Sequence, residues 1–476
     1  MIRRTFTPGA HQHEMLAHMH EHPRCAVWAG MGAGKTSGTL SFLHEVELVE
    51  PGRSLVLAPL RVARDTWPNE AAKWEHLKAM SVVPIVGTEA ERIAALKLDV
   101  GTHTINYENL PWLIEYHRAN SMTWRWSRVV ADESTRLKNF RLRNGTERAK
   151  AIASVAHTRV KRWINLTGTP SANGLVDLWG QTWFLDAGVR LGRTLEAFQQ
   201  RWFSWERKPS ATKSNHEIKQ IPKDSAQEQI QKALADICIT PVLPFDVDKP
   251  VFTPVYVDLP AKARWQYNEM EKRMFAEISG HEIEAFTAAA KSMKCLQLAN
   301  GAAYLERDET KPAEKRQWVE VHDVKIQALE SIVEEAAGMP ILCGYQFKSD
   351  LARILKAFPK AVDISTSEGE KTFRAGRSPL GLAHPASMGH GIDGLQDVTN
   401  LCAFFGHWWN LEEYLQLIER IGPVRQKQSG HDRPVYVYLI LARDTVDEDV
   451  MARRDSKRGV QDILLEAMKR RGRCNT

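Results

Sequence analysis

Residues 29–36 read AGMGAGKT, and this stretch limits what the chain can fold into more than any other. An apolar run, Cys25 to Trp28, precedes it, and a helix-forming segment, Ser37 to Leu48, follows it. Strand, glycine-rich turn and helix is the context in which such a turn cradles phosphate; a turn that binds nothing has no need of it. Gly30, Gly32 and Gly34 open backbone angles closed to other residues, so that amide N–H groups approach phosphate oxygens; Ala29, Met31 and Ala33 complete the loop. The helix start adds the positive end of its dipole. Lys35 has the reach for β- and γ-phosphates, and the Thr36 hydroxyl suits Mg²⁺.

A phosphate loop needs a metal-holding carboxylate and a base. The run Ser127 to Ser134 is an apolar strand ending in Asp132 and Glu133, about a hundred residues after the loop. Asp132 is placed to hold Mg²⁺ and Glu133 to orient and deprotonate an attacking water. A further strand, Arg162 to Pro170, ends in Thr167, Gly168 and Thr169, two hydroxyls about a tight turn able to sense a nucleotide and pass its state on. By itself this is also an ordinary strand-to-helix turn with Pro170 at its start.

Strands at 54–60, 82–86 and 102–107 alternate with helical patterns, the signature of a parallel sheet with helices on both faces. Ligands of such sheets bind at the carboxyl ends of the strands, where all three motifs fall. A second α/β unit opens at Val251 to Leu259 and continues through strands at 340–345, 378–384, 399–405 and 434–442. Residues 306–316 read as a charged loop, and the chain closes on a helix ending in Lys469, Arg470, Arg471 and Arg473.

Between the units, Arg201 to Lys208 is aromatic and basic, and Pro209 to Lys223 reads as a polar loop or inserted arm. Two readings fit Trp202 and Trp205: contact with nucleic acid, or packing of an inserted helix. Five histidines between His11 and His22 read as a solvated helix face, since no acidic or cysteine ligands complete a metal site. The segment 414–426 sets Gln416, Arg420 and Arg425 on a helix and the turn after it; arginine suits charge on a transferring phosphoryl group, and equally a solvated amphipathic face.

Composition bounds the setting. The chain has 476 residues, room for two or three domains, with no apolar run of the roughly 18 residues that span a bilayer. Six scattered cysteines form no CxxC pair, and the first residues carry no signal-peptide core, so a reducing cytoplasm and no membrane are expected. A net charge of +6 permits a polyanionic partner.

Together these pieces resemble the superfamily 2 helicases, most closely the Swi/Snf-type translocase branch and its compact phage-encoded members. AGMGAGKT, opening on Ala29 rather than glycine, is similar to motif I of that superfamily, LVLAPLRVARDTWPNE to motif Ia, and VVADESTRLKN to motif II. INYENL resembles the DNA-side motif between them, and LTGTPSANGLVDLWGQTWFL the branch's motif III. KSMKCLQLANGAAY and the Lys325 helix resemble the start of its second domain, ASMGHGIDGLQ motif V, HWWN its tryptophan–asparagine signature, and QLIERIGPVRQ motif VI. TVDEDV fits the last helix.

The resemblance implies two RecA-like lobes, residues 1–185 and 251–476, joined by a helical, basic insertion at 186–250. It implies an ATP hydrolase with Mg²⁺, coupling hydrolysis to movement along duplex DNA as a monomer. Gln12 takes the place of an adenine-reading glutamine. Gly389, Gly391, Asp393 and Gln416 take coupling positions, and Arg420 or Arg425 that of the arginine finger. Arg61, Asn106, Tyr107 and Lys138 are expected on the nucleic-acid face. Ser134 stands where many relatives carry Ala-His, the motif VI arginines are five apart instead of three, and Leu411 replaces a proline. An RNA- or single-strand-directed helicase and a nucleotide-gated DNA clamp are the alternatives.

Overall fold

A computed structural model of the protein describes residues 3–30, 32–143, 145–172, 174–209, 216–242, 248–278, 285–305, 317–388 and 392–456. The chain divides into two compact units, the first built on Met1–Glu206 and Ile218–Asp246, the second on Val247–Ser456 together with Arg207–Glu217.

The first unit is organised by a seven-stranded sheet. Its strands are β1 (Arg24–Trp28), β2 (Arg53–Ala58), β3 (Val82–Ile85), β4 (Thr102–Asn106), β5 (Trp126–Asp132), β6 (Arg162–Thr167) and, beyond the hairpin β7 (Phe203–Pro209) and β8 (His216–Pro222), β9 (Cys238–Ile239). Their order is β3-β4-β2-β5-β6-β1-β9, and every pairing is parallel. Apolar residues occupy both faces, as a helix-covered parallel sheet requires. In β1, Ala26 and Trp28 join the core on one side while Cys25 and Val27 join the core on the other.

The segment 186–250 adds more than helices. Helix Leu195–Trp202 leads into the β7–β8 hairpin, where a loop or arm is expected from the sequence, and β9 extends the main sheet beside β1. β8 reads HEIKQIP, its two isoleucines three apart, so no alternating apolar face announces a strand. Trp202 is buried in the core, as packing of an inserted helix requires, whereas Trp205 is exposed.

The second unit carries a six-stranded parallel sheet, β10 (Val251–Val257), β17 (Tyr436–Ala442), β16 (Leu401–Phe404), β13 (Ile341–Gly344), β15 (Leu380–Ala383) and β14 (Val362–Asp363), in that spatial order. A small antiparallel pair, β11 (Ala302–Tyr304) and β12 (Trp318–Glu320), lies outside it. Apolar cores again fill both faces, Leu342 and Phe404 on one, Cys343 and Ala403 on the other. Both units are α/β lobes built on parallel sheets. The charged stretch 306–316 and the basic chain end at 469–473 lie outside the described residues.

The first helix, Ala10–Glu21, departs from a solvated histidine face. His11 is buried, the His18 and His22 rings lie 4.5 Å apart at a tilt of 34°, and the His18 ring hydrogen-bonds the Ile237 carbonyl. Burial lowers the pKa of both His11 and His18. Among the described residues no cluster could hold a metal through three or more side chains, and no helix is long and apolar enough to cross a membrane.

Candidate active site

Three adjacent strands, β5, β6 and β1, bring the three motifs to one end of the first sheet. Register pairs Trp28 with Thr167 and Asp132 with Leu166, so the loops that follow leave the sheet side by side. Ala29 N–H donates to the Thr167 carbonyl at 3.0 Å, carrying the ladder into the phosphate loop. A Cβ on Gly168 would sit 3.2 Å from the Ala29 oxygen and 3.3 Å from Gly30 Cα, so a bare backbone suits this approach.

Gly32 and Gly34 take left-handed angles, φ 79° and 69°, and Gly34 caps the helix Lys35–Val49. Lys35 Nζ donates to the carbonyls of Ala29 and Gly30 at 2.5 and 2.8 Å, folding the amine over its own loop. Thr36 follows, half-buried, in the first turn. Met31 lies outside the described residues. Gln12, expected at adenine, is buried against the loop: its amide nitrogen donates to Gly34 O and Ser37 Oγ, and its oxygen accepts from Gly9 N–H. It braces the loop in this structure.

Asp132 ends β5. One carboxylate oxygen accepts from Trp67 Nε1 at 2.8 Å. Desolvation raises the Asp132 pKa; the Trp67 bond and the nearby Lys35 charge oppose it. Glu133 adopts φ 59°, ψ 58°, a left-handed conformation costly for a side chain with a Cβ. Thr167 Oγ1 donates to Glu133 Oε1 at 2.9 Å and accepts from Thr169 N–H at 3.1 Å. The motif III turn is thus tied to the acidic pair through one hydroxyl. Ser134 Oγ donates to Gln181, whose amide donates to the Pro170 carbonyl, a second tie between the same two segments.

Tyr107 does not face outward as expected of a nucleic-acid contact. It is fully buried, and its hydroxyl donates to the backbone oxygens of Asp132 and Glu133 at 2.9 and 3.4 Å. Burial and the acidic pair push its phenol well up. Asn106 is buried as well, bonded to Glu108 and Asn109. Lys138 pairs with Asp177 at 3.6 Å, and Arg61 is half-exposed. The sequence marks neither Trp67 nor Gln181 as a partner of the acidic strand end: Trp67 stands in motif Ia, with nothing local to pair it with Asp132.

In the second unit, the arginines occupy two short helices. Arg420 directly follows Leu411–Glu419, and Arg425 lies within Pro423–Gln428. Buried Arg420 donates to the Ile392 carbonyl at 2.9 Å, and Arg425 pairs with Asp393. Burial opposes ionisation of Asp393, yet Arg425, the Gly394 N–H and Arg420 hold its carboxyl below the usual range. Gln416 Nε2 lies 3.5 Å from Glu412. Gly389 and Gly391 lie outside the described residues.

The site fits a nucleoside triphosphate with its cation. Left-handed glycines before a helix N-terminus and a lysine at its first position suit phosphate; the Thr36 hydroxyl and Asp132 carboxylate are hard oxygen donors of the kind Mg²⁺ takes.

Comparison with known proteins gives this arrangement a lineage. The family model of the SNF2-related domain matches residues 11–303. Protein p41 of Acyrthosiphon pisum secondary endosymbiont phage 1 is 51% identical, across 98% of this chain and 100% of its own. The Danio rerio chromodomain-helicase-DNA-binding protein 1-like is 22% identical across 93% of this chain, which spans only 42% of that larger protein. A similar solved structure is the Sulfolobus solfataricus SWI2/SNF2 ATPase core in complex with dsDNA, 19% identical, with a TM-score of 0.42 and coverage of 98% of this chain and 96% of that one. The chain belongs to the SNF2-related family of ATPases.

Proposed function

We propose that the protein is an ATP-dependent DNA translocase, coupling Mg-ATP hydrolysis to movement along duplex DNA. The observation that carries the catalytic part is Glu133, whose carboxylate receives the Thr167 hydroxyl beside Asp132 at the mouth of the phosphate loop. Mg-ATP, when bound, supplies the γ-phosphoryl group as electrophile. Backbone amides of residues 30–34 and the Lys35 amine bind the phosphates; Thr36 and Asp132 hold the cation. Glu133 takes the proton of the attacking water as general base. Its strained backbone and the Thr167 bond fix where that base points. Arg420 or Arg425 supplies the positive charge that the second lobe contributes, and Asp393 orients Arg425.

Thr167 joins the base to the Thr169 turn, so it is the natural relay from the hydrolysis site to the rest of motif III. DNA as the track is supported by the net charge of +6 and by the DNA-binding fish relative.

The test is ATP hydrolysis without polymer and with duplex DNA, single-stranded DNA or RNA, beside Glu133→Gln. Strong stimulation by duplex DNA, abolished in the variant, supports translocation. Equal stimulation by RNA, or none by any polymer, refutes the substrate while leaving the ATP site standing.

A further inference from the structure

We infer that Tyr107 is a positioning residue for hydrolysis: its hydroxyl holds the backbone on both sides of Glu133 and so sets where that carboxylate points. The inference rests on the reading of Glu133 as general base and adds the group that keeps it in place. A tyrosine in a core usually finds some partner for its hydroxyl. What sets this one apart is the pair it chooses, the two carbonyls that flank the strained member of the acidic pair.

Glu133 needs holding. At φ 59° and ψ 58° it lies in the left-handed region, which a residue with a Cβ leaves unless its surroundings over-determine it. Its two torsions are fixed by the two peptide planes beside its Cα, and each rigid plane carries one carbonyl as a handle. Tyr107 Oη reaches both handles, the Asp132 oxygen at 2.9 Å and the Glu133 oxygen at 3.4 Å. A return of φ to negative values turns one plane against the other and pulls a carbonyl off its donor. The Thr167 hydroxyl holds the other end of the same residue, its carboxylate.

The sheet puts the donor within reach. β4 and β5 flank β2, and because Asn106 pairs with Ala58 and Leu57 with Ala131, the two strands end level on either side of it. Tyr107 is the first residue past β4, and its side chain crosses to the end of β5. The ring is fully buried in one of the two cores of the first unit, so the hydroxyl rides on a fixed base. Burial first, and then the charges of Asp132 and Glu133, hold the phenol well above its usual pKa, so it stays a donor at neutral and mildly alkaline pH. The neighbouring Glu108 pairs with Arg148 at 3.3 Å and stands 4.0 Å from Arg136 in the turn after Glu133, but it does so at the surface, where such pairs hold little.

The experiment measures kcat and KM for ATP, and affinity for a non-hydrolysable ATP analogue, on the full chain. Rates are expressed per analogue-binding molecule, so that unfolded chains do not count. Wild type, Tyr107→Phe, Thr167→Val, their double variant, Glu108→Gln and Glu133→Gln are compared. Tyr107→Phe keeps the ring and deletes the hydroxyl; it is expected to lose about tenfold or more in kcat, with KM and analogue affinity close to wild type. In the double variant the two losses combine to less than their product, since both bonds serve one residue. Glu108→Gln changes kcat by less than about twofold. A Tyr107→Phe protein with wild-type kcat, or one whose analogue affinity falls as far as its kcat, overturns the inference. So do losses that multiply fully with Thr167→Val, and a Glu108→Gln loss as large as that of Tyr107→Phe. If Glu133→Gln hydrolyses like wild type, the general-base reading fails and takes this one with it. If Glu133→Gln is inactive while Tyr107→Phe matches wild type, only the brace fails.

Discussion

At Asp132, the carboxylate proposed to hold Mg²⁺, a hydrogen bond opposes the effect of burial. Desolvation raises its pKa, and the Trp67 indole N–H is foremost among the contacts that favour the charged form. Trp67→Phe keeps most of the apolar volume and deletes the donor, so the folded pKa of Asp132 rises further. If hydrolysis needs the carboxylate, the acidic limb of the kcat/KM profile moves to higher pH, and activity converges on wild type at alkaline pH. A profile that drops uniformly without moving would show that Trp67 acts through packing alone. Lys35, Asp132 and Glu133 could be read from the sequence because each lies in a contiguous motif of fixed chemistry. The Trp67 bond could not, since its partner is 65 residues away and nothing local marks the pairing. Tyr107 was misplaced for a related reason: a motif shows that a residue matters and not which way its ring points.

The turn after Glu133 is backed by an element distant in sequence from the phosphate loop. Helix Asp177–Asp186 packs Gly180 against the backbone just after Glu133, where an added Cβ would sit 2.3 Å from the Lys138 oxygen and 2.9 Å from that of Leu137. In an unencumbered helix, glycine to alanine gains about 0.5–1 kcal/mol. Here the neighbour is backbone and has no rotamer to yield, so the clash wins. Gly180→Ala should cost about 2 kcal/mol or more and, by shifting residues 134–138, cut kcat by at least about tenfold. Gly376→Ala is the control: φ is +67° with nothing within 4 Å of the new methyl, so about 1–2 kcal/mol of left-handed strain is expected with hydrolysis unchanged. Denaturant melts and initial rates on both variants decide it; matching kcat losses would remove packing as the cause. The central strands were legible as apolar runs closed by glycine, proline or carboxylate. β9 and β14 were not, because two residues carry no period, and 414–426 broke into two helices at Gly422 and Pro423.

Across the whole molecule, alternating strands and helices announced two units, but not what lies at the polar centre of the second. Lys325 and Asp447 form an ion pair at 2.6 Å with both side chains fully buried. Lys325 also donates to Asn300 Oδ1, and Asn300 donates to Asp350, whose carboxyl burial lifts to about 6. Asp447 accepts from Ala442 N–H at the end of β17. His407 lies between the Ile440 carbonyl and Arg454, with burial lowering its pKa to about 3. The partners come from sequence positions 300 to 454, and none is anomalous alone, so periodicity had nothing to register. Replacing one member of such a pair strands the other as a buried charge, a loss of about 3–5 kcal/mol. Lys325→Met should therefore unfold the second unit early. The first unit keeps its own core and phosphate loop and should melt later, in a transition that a non-hydrolysable ATP analogue at about a hundredfold its Kd stabilises by about 2.7 kcal/mol. Adding Asp447→Leu to Lys325→Met removes the stranded charge and should recover part of the loss, because the penalty lies in the unpaired carboxylate and not in the missing amine. Calorimetry with and without the analogue separates the possibilities. Two transitions, of which only the later responds to the analogue, assign stability to each lobe separately; one transition moving as a whole would mean that the lobes fold as a single cooperative body and that the Lys325 network supports both.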